Sequence, residues 1–406
     1  MSELSRRRFV AAALGTGAAA GLTGCTAATG QVTHRPRFVP FAGDHQAGIT
    51  ALPIPAQGLL AAFSVQSVGR AGLASLFADL SDEIRGLMAG TPPPVRDPAY
   101  PPVDSGILGA QPPPDDLSIV VSVGASLFDD RFGLADRRPT ELVTMPFLAN
   151  DRLDPDRSHG DLLISLQAGH IDTLQFALRQ LMRRTREHLV LAWLVEGYGR
   201  GAGAASAAAT PRNLLGFKDG TANLDAGDTA LMDRHVWVGA DSGEPRWAVG
   251  GSYQAVRIIR MFVEFWDRTQ LVEQEAIIGR HKITGAPLGR HGEFDDPGYA
   301  DDPHGLRIPL AAHIRRANPR TPETAENLIL RRGFSFTRGF DRAGRLDQGL
   351  AFVSYQHSLA SGFLAVQERI SGEALEEYVQ GQGGGFFFAL PGTVDGSRFL
   401  GDELVG

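Results

Sequence analysis

Cysteine is almost absent from this chain. Cys25 is the only one in 406 residues, which excludes both an intrachain disulfide and a cysteine-built metal site. Surplus positive charge is missing too. The 39 Lys and Arg face 46 Asp and Glu, for a net charge of −7, opposite in sign to the basic footprint of a nucleic-acid binder. The N-terminal apolar stretch Val10–Leu22 is 13 residues long, short of the roughly 20 needed to cross a bilayer. Tryptophan and tyrosine number only 4 and 6. Most are expected in the core or at interfaces, so none is named as a radical relay.

What remains describes a globular protein. Hydrophobic residues make up 43% and charged residues 21%, ordinary values for a soluble fold. The length favours two domains or one large fused pair. With 49 Gly and 25 Pro, long irregular connections are expected.

Residues 1–25 belong to targeting rather than to the fold. Ser5-Arg6-Arg7-Arg8-Phe9-Val10 has the form of a twin-arginine signal, which exports proteins already folded and often already carrying a cofactor. Leu22-Thr23-Gly24-Cys25 has the form of a lipobox, with cleavage after Ala27 or Ala28 as the alternative. The expected location is therefore extracytoplasmic, either secreted or lipid-anchored at the cell envelope through Cys25.

Residues 26–40 read as a linker. In 41–200, short apolar runs at Leu59–Val65, Leu117–Val123, Asp161–Gln167 and Leu189–Val195 predict strands. Leu73, Leu76, Phe77, Leu80, Ile84 and Leu87 fall at helical spacing, and Asp172–Glu187 predicts a second helix. The proline-rich Thr91–Pro114 must be a loop. The order strand–helix–strand–strand–helix–strand is that of a ferredoxin-like unit. Gly201–Ala209, nearly all Gly, Ala and Ser, is the expected boundary. The rhythm then repeats over 210–400, with a strand in Tyr253–Trp266, a helix over Val272–Arg280, an element over His304–Arg316, strands at Leu328–Phe336, Ala351–Gln356 and Gly385–Leu390, and a helix over Ser361–Ile370. The fold class expected is α+β, two ferredoxin-like domains packed together.

Two stretches carry candidate chemistry. Ala311-Ala312-His313-Ile314-Arg315-Arg316-Ala317-Asn318-Pro319-Arg320 sets a lone histidine among arginines beside a proline stop, with His313 a candidate axial ligand of a haem iron. Gly216-Phe217-Lys218-Asp219-Gly220-Thr221-Ala222-Asn223 contains an Asp-Gly pair that, taken alone, is an ordinary turn.

Together with His45-Gln46-Ala47-Gly48-Ile49, Ile278-Gly279-Arg280, Gly285-Ala286-Pro287-Leu288, Arg331 and Gly383–Gly392, these stretches resemble the dye-decolourising peroxidase family. The resemblance is to its twin-arginine-exported branch, which includes the deferrochelatases, and it covers essentially the whole mature chain. It implies a fold of the dimeric α+β barrel kind and one haem b per chain, with His313 as the metal ligand. Asp219 is implied as the distal acid–base residue and Arg331 as the distal arginine. Gly220, Thr221, Ala222, Asn318, Pro319 and Arg320 are implied as haem contacts. The implied partners are hydrogen peroxide and an organic electron donor such as a dye or phenol; a homo-oligomer is a further expectation.

The chemistry is consistent with those residue types. A neutral imidazole is a good iron ligand, and its second nitrogen usually donates to a carboxylate; Asp295, Asp296, Asp301 and Asp302 are near in sequence. A distal carboxylate can take a proton from peroxide and return it, and a fixed guanidinium stabilises the charge that develops. His45 is expected to be structural, and Arg315, Arg316 and Arg332 to be solvated or propionate-facing. Three readings remain: a haem peroxidase, a haem-binding protein that releases iron, and an unrelated extracytoplasmic binding protein in which Asp219 only makes a turn.

Overall fold

Alternation along the strands sets the architecture of the chain. On strand β1 (Gln57–Val65), Leu59, Ala61, Phe63 and Val65 belong to one core cluster, whereas Leu60 and Ala62 belong to another. Both faces of the strand are buried, which is why it reads as a continuous apolar run. The computed structural model describes residues 35–199, 210–394 and 398–406. The twin-arginine stretch, Cys25 and the Gly201–Ala209 boundary lie outside the described residues.

The first half continues with α1 (Gly69–Met88), β2 (Ser118–Gly124), β3 (Leu162–Ala168), α2 (Ile171–Arg184) and β4 (Leu189–Tyr198). Its strands lie in the order β4-β1-β3-β2, all antiparallel. The second half contains α3 (Thr229–His235), β5 (Ser252–Met261), α4 (Val263–Trp266), α5 (Leu271–Ile278), α6 (His313–Ala317), β6 (Leu330–Arg331), β7 (Phe334–Phe340), β8 (Leu346–Gln356), α7 (Ala365–Ile370), β9 (Val379–Ala389) and α8 (Asp402–Val405). Counting β5, β7, β8 and β9 as first to fourth, their order β9-β5-β8-β7 repeats that of the first half.

The halves join edge to edge. β2 pairs with β9 through Ser122↔Ala389, and β4 meets β7 at Tyr198↔Ser335. Because β5 also pairs with β8, the ladder closes into an eight-stranded barrel, with β6 extending the β7 edge of β8. The fold is thus α+β with ferredoxin-like halves that share one closed sheet, in line with the barrel-like fold that the resemblance implied. Leu60, Val120, Leu163, Val256, Val353 and Phe387 fill the barrel interior, as side chains do in small barrels.

α1 and α2 cover the outer face of the first half. Leu73, Leu76, Phe77, Leu80 and Ile84 of α1 and Leu174, Ala177 and Leu181 of α2 are buried there. Each fully buried Leu, Ile or Phe contributes about 1.5–3 kcal/mol.

Several elements differ from expectation. α3 is unanticipated; its start is capped by Asp228, which accepts from Leu231 N at 3.1 Å. Only the last residues of His304–Arg316 are helical. Tyr253–Trp266 breaks after Phe262, whose amide makes one last in-register bond, to Tyr378 O at 2.8 Å, before α4 begins at Val263. Leu328–Phe336 splits at Arg332-Gly333, where the chain runs so close to Ala351 O that a side chain at 333 would collide with it.

Candidate active site

His313 opens α6, and its ring hangs on a carboxylate. Nδ1 lies 2.7 Å from Glu373 Oε1, which leaves Nε2 as the nitrogen available to a ligand. Glu373 is buried at 7% exposure, and its Oε2 has no hydrogen-bond partner. Burial pushes the His313 imidazole down, but the Glu373 bond and charge, aided by the Asp219 charge, outweigh it and hold the ring above its ordinary value. The 34% of the side chain that stays accessible borders a cavity.

The partner is none of the carboxylates near in sequence. Asp302 accepts instead from Ile308 N and Arg315, Asp296 pairs with Arg320, and Asp295 accepts from Gly292 N. Glu373 lies sixty residues beyond His313, so no local spacing pointed to it.

Asp219 sits where Arg212 and Lys218 form an isolated antiparallel bridge. Its amide bonds Pro211 O at 2.8 Å, and Gly220 follows at φ 143°, a backbone conformation that side chains resist. Asp219 Oδ1 accepts from Arg331 Nη1 at 2.6 Å, while Oδ2 has only a long 3.4 Å contact from Asn213. Asn223 ties the two segments together: its carboxamide donates to Arg331 O at 2.9 Å and accepts from Arg331 N at 2.8 Å.

His313, Glu373, Asp219 and Arg331 border one cavity of about 330 Å³, within the usual range for small-molecule sites. Gly220, Thr221, Ala222, Asn318 and Arg320 border it as well; Pro319 does not. Its apolar wall includes Ile259, Leu350, Phe352 and Phe363, and the first half adds only Ala149, Asn150 and Asp151. Arg280 is a wall residue to which the sequence reading gave no role. It is buried, and its Nη1 donates to the carbonyls of Gly285 at 2.6 Å and Glu293 at 2.9 Å. Burial first, and then the charges of Arg320 and Arg331, hold that guanidinium below its ordinary value. Burial pushes the Tyr299 phenol on the same wall up to about 12. Arg320 adopts φ 57° and pairs with Asp296 at 3.1 Å.

The remaining sequence candidates lie elsewhere. Arg315 pairs with Asp302, Arg316 bonds the carbonyls of Arg369 and Ser371, and Arg332 is buried against Ala51 O and Gln167 Oε1. None of the three borders the cavity; Arg315 and Arg316 stay partly exposed, and Arg332 is buried. His45 stacks on Trp237 at 3.8 Å and bonds Gly250 O at 2.7 Å, a structural arrangement as expected.

Among the described residues no group of three or more His, Cys, Asp or Glu could hold a bare metal ion. His313 offers a single ligand, which suits a metal already held by a macrocycle.

The family model described as Dyp-type peroxidase, N-terminal, matches residues 46–199, and its C-terminal counterpart matches residues 210–394. A protein named Deferrochelatase from Escherichia coli O157:H7 is 48% identical, the match covering all of this chain and 98% of that one. A DyP-type peroxidase crystal structure from Streptomyces coelicolor is 34% identical with a TM-score of 0.82, over 91% of this chain and 97% of the other. Ferric DtpA from Streptomyces lividans gives the same identity, TM-score and coverage.

Proposed function

This chain belongs to the Dyp-type peroxidase family, and we propose that its cavity binds one haem b per chain, with His313 as the residue that would hold its iron. The chain is an enzyme of that family, a haem peroxidase. The observation that carries the site assignment is that two hydrogen-bonded pairs, His313–Glu373 and Asp219–Arg331, border one cavity. The cavity's residues fit haem: one free imidazole nitrogen, an apolar wall, and Arg280 and Arg320 as cations for the carboxylates of the porphyrin. Gly220, Thr221, Ala222 and Asn318 are further contacts in this reading, and Pro319 acts by setting the turn into Arg320.

Haem, when bound, supplies an iron that takes up peroxide and exchanges electrons with a donor. The chain's own groups do the rest. Glu373 orients the His313 ring and increases its basicity. Arg331 occupies Oδ1 of Asp219, so Oδ2 is the atom that takes the peroxide proton and returns it to the departing oxygen. The same guanidinium stabilises negative charge developing beside it. Organic molecules such as dyes or phenols are the proposed electron donors.

Iron release from haem is the second reading, and the relatives favour it over general donor oxidation: the 48% identical protein spanning the whole chain is named Deferrochelatase. A porphyrin that loses iron must gain protons on its ring nitrogens. Asp219 Oδ2 and the His313–Glu373 couple are the proton-holding groups available. One experiment separates the readings. Haem-loaded protein is mixed with peroxide and a phenol, and donor oxidation and metal-free porphyrin fluorescence are followed together. Donor oxidation alone supports the peroxidase reading, porphyrin fluorescence the release reading, and no Soret band after haem-replete expression sinks both.

The two functional halves are taken as 41–200, mainly scaffold, and 210–400, haem-binding. Export by the twin-arginine route to an extracytoplasmic location, with Cys25 as a lipid anchor, completes the proposal. It rests on Ser5–Val10 and Leu22–Cys25, and the intact mass of the mature protein tests the lipid.

A further inference from the structure

Behind the cavity wall, the Glu293 carboxylate gathers three side-chain donors. Oε1 accepts from Thr210 Oγ1 and from Thr221 Oγ1, the latter at 2.9 Å, and Oε2 accepts from Lys218 Nζ. Lys218 and Thr221 bracket Asp219-Gly220, so one carboxylate grips both ends of the dipeptide that carries the proton-handling group. Glu293 also engages Arg280, whose Nη1 donates to its backbone carbonyl at 2.9 Å. The carboxylate is nearly buried, with 11% of its side chain accessible, and it does not border the cavity.

The surroundings explain why the grip holds. Burial pushes the Glu293 carboxyl up, but the bonds from Lys218, Thr210 and Thr221 outweigh it and hold it below its ordinary value. It is therefore a charged acceptor, and charge-assisted hydrogen bonds are roughly twice as strong as neutral ones. Without this anchor, the segment around Asp219 would rely on the Pro211 backbone bond, the Arg212–Lys218 bridge, the Arg331 pair and the Asn223 clamp. Lys218 would also keep its charge next to Asp219 with its carboxylate partner gone.

We propose that Glu293 is a positioning residue that fixes the Lys218–Thr221 segment, and through it sets where Asp219 Oδ2 meets the substrate. This rests on the role given to Asp219 above, and it goes beyond that role by naming what holds the group in place. A displacement of about 1 Å can lower a rate by about 10²-fold, so the anchor matters without touching the substrate.

The test compares Glu293→Gln and Glu293→Asp with Glu326→Gln, a control at the exposed Arg234–Glu326 pair. In haem-free protein, amide exchange over 216–223 should rise about tenfold in Glu293→Gln, partly recover in Glu293→Asp and stay at wild type in Glu326→Gln. In haem-loaded protein, the Soret band of Glu293→Gln should be unchanged. Its kcat/KM for hydrogen peroxide should fall about tenfold or more, with KM for the organic donor held within about twofold. Wild-type exchange together with wild-type kcat/KM in a folded, haem-binding Glu293→Gln protein overturns the proposal. If Asp219→Asn leaves peroxide turnover intact, the role of Asp219 fails instead, and the exchange measurement alone decides whether Glu293 anchors the segment. If Glu293→Gln prevents folding, Thr221→Val removes one of the three bonds, and the same exchange readout decides.

Discussion

Removing Asp151 and Arg257 together should destabilise the protein by less than the two single removals added. Arg257 on β5 donates to Asp151 through both terminal nitrogens, one bond measuring 3.0 Å. Only 6% and 1% of the two side chains are accessible. Asp151 Oδ2 also accepts from Leu148 N at 2.8 Å, and Gly381 packs so closely that a Cβ there would strike both partners. Asp151→Ala thus leaves a guanidinium with no carboxylate in a pocket that water reaches poorly, and it strips Leu148 N of its acceptor. Breaking a buried pair in this way costs about 3–5 kcal/mol, a large share of the roughly 5–15 kcal/mol that holds a domain folded. Arg257→Met alone strands the carboxylate instead. With both changes neither charge is left, so the double variant should sit well above the sum of the singles, by a coupling of about 1–3 kcal/mol. Denaturant unfolding of the haem-free protein measures this cycle without interference from ligand binding. If Asp151→Ala costs less than about 1 kcal/mol, or the singles simply add, the pair is not a buried electrostatic unit and the reasoning fails.

Three further outcomes are expected. His313→Ala should lose haem or its axial ligation, seen as a lost or shifted Soret band; a wild-type spectrum would mean that the ligand lies elsewhere. Asp219→Asn should keep haem but lower the rate of reaction with peroxide by about 10²–10⁴-fold, measured by rapid mixing. Asp161 should make stability pH-dependent in acid. Burial pushes its carboxyl up, but bonds from Arg131, Ser126 and Val65 N hold it below its ordinary 3.8. Its contribution is therefore complete above 3.8 and lost as pH falls through the lower folded value. Asp161→Asn should flatten that part of the stability profile, and an unchanged slope in acid titrations would refute the assignment.

The strands and long helices of the first half were legible because burial on both faces writes itself as apolar runs and as Leu73–Ile84 spacing. Barrel closure was expected through the family resemblance alone, since β2–β9 and β4–β7 pair edges far apart in sequence that carry no complementary pattern. Much of β9 escaped notice for a different reason. Gly381, Gly383, Gly384 and Gly385 have low strand propensity, yet Gly381 must be side-chain-free to pass Asp151 and Arg257. In the site, His313, Asp219 and Arg331 were found through family-like motifs, and they border one cavity. Glu373 and Glu293 act through contacts that cross long stretches of chain and lie in no motif that announces their partners, whereas Arg280 bonds the nearby carbonyls of Gly285 and Glu293.

Equal strand order in the two halves raises the question of why only one builds a pocket. The answer lies in the helices. In the first half α1 has 20 residues and α2 has 14, enough to lay apolar stripes across the outer face of the sheet. In the second half α4 and α5 have 4 and 8 residues, α7 with the π-turn before it spans only Ala360–Ile370, and between α5 and β6 the only α-helix is α6, five residues opening on His313. The outer face at Ile259, Leu350 and Phe352 is consequently not sealed by a helix layer and borders the cavity. Apolar surface left open forgoes about 25 cal/mol for every Å², so a flat apolar ligand seated there would complete a core that the chain leaves unfinished. Ligand binding and the stability of the second half are then coupled by mass action. The same topology serves as scaffold where its helices are long and as a binding site where they are short.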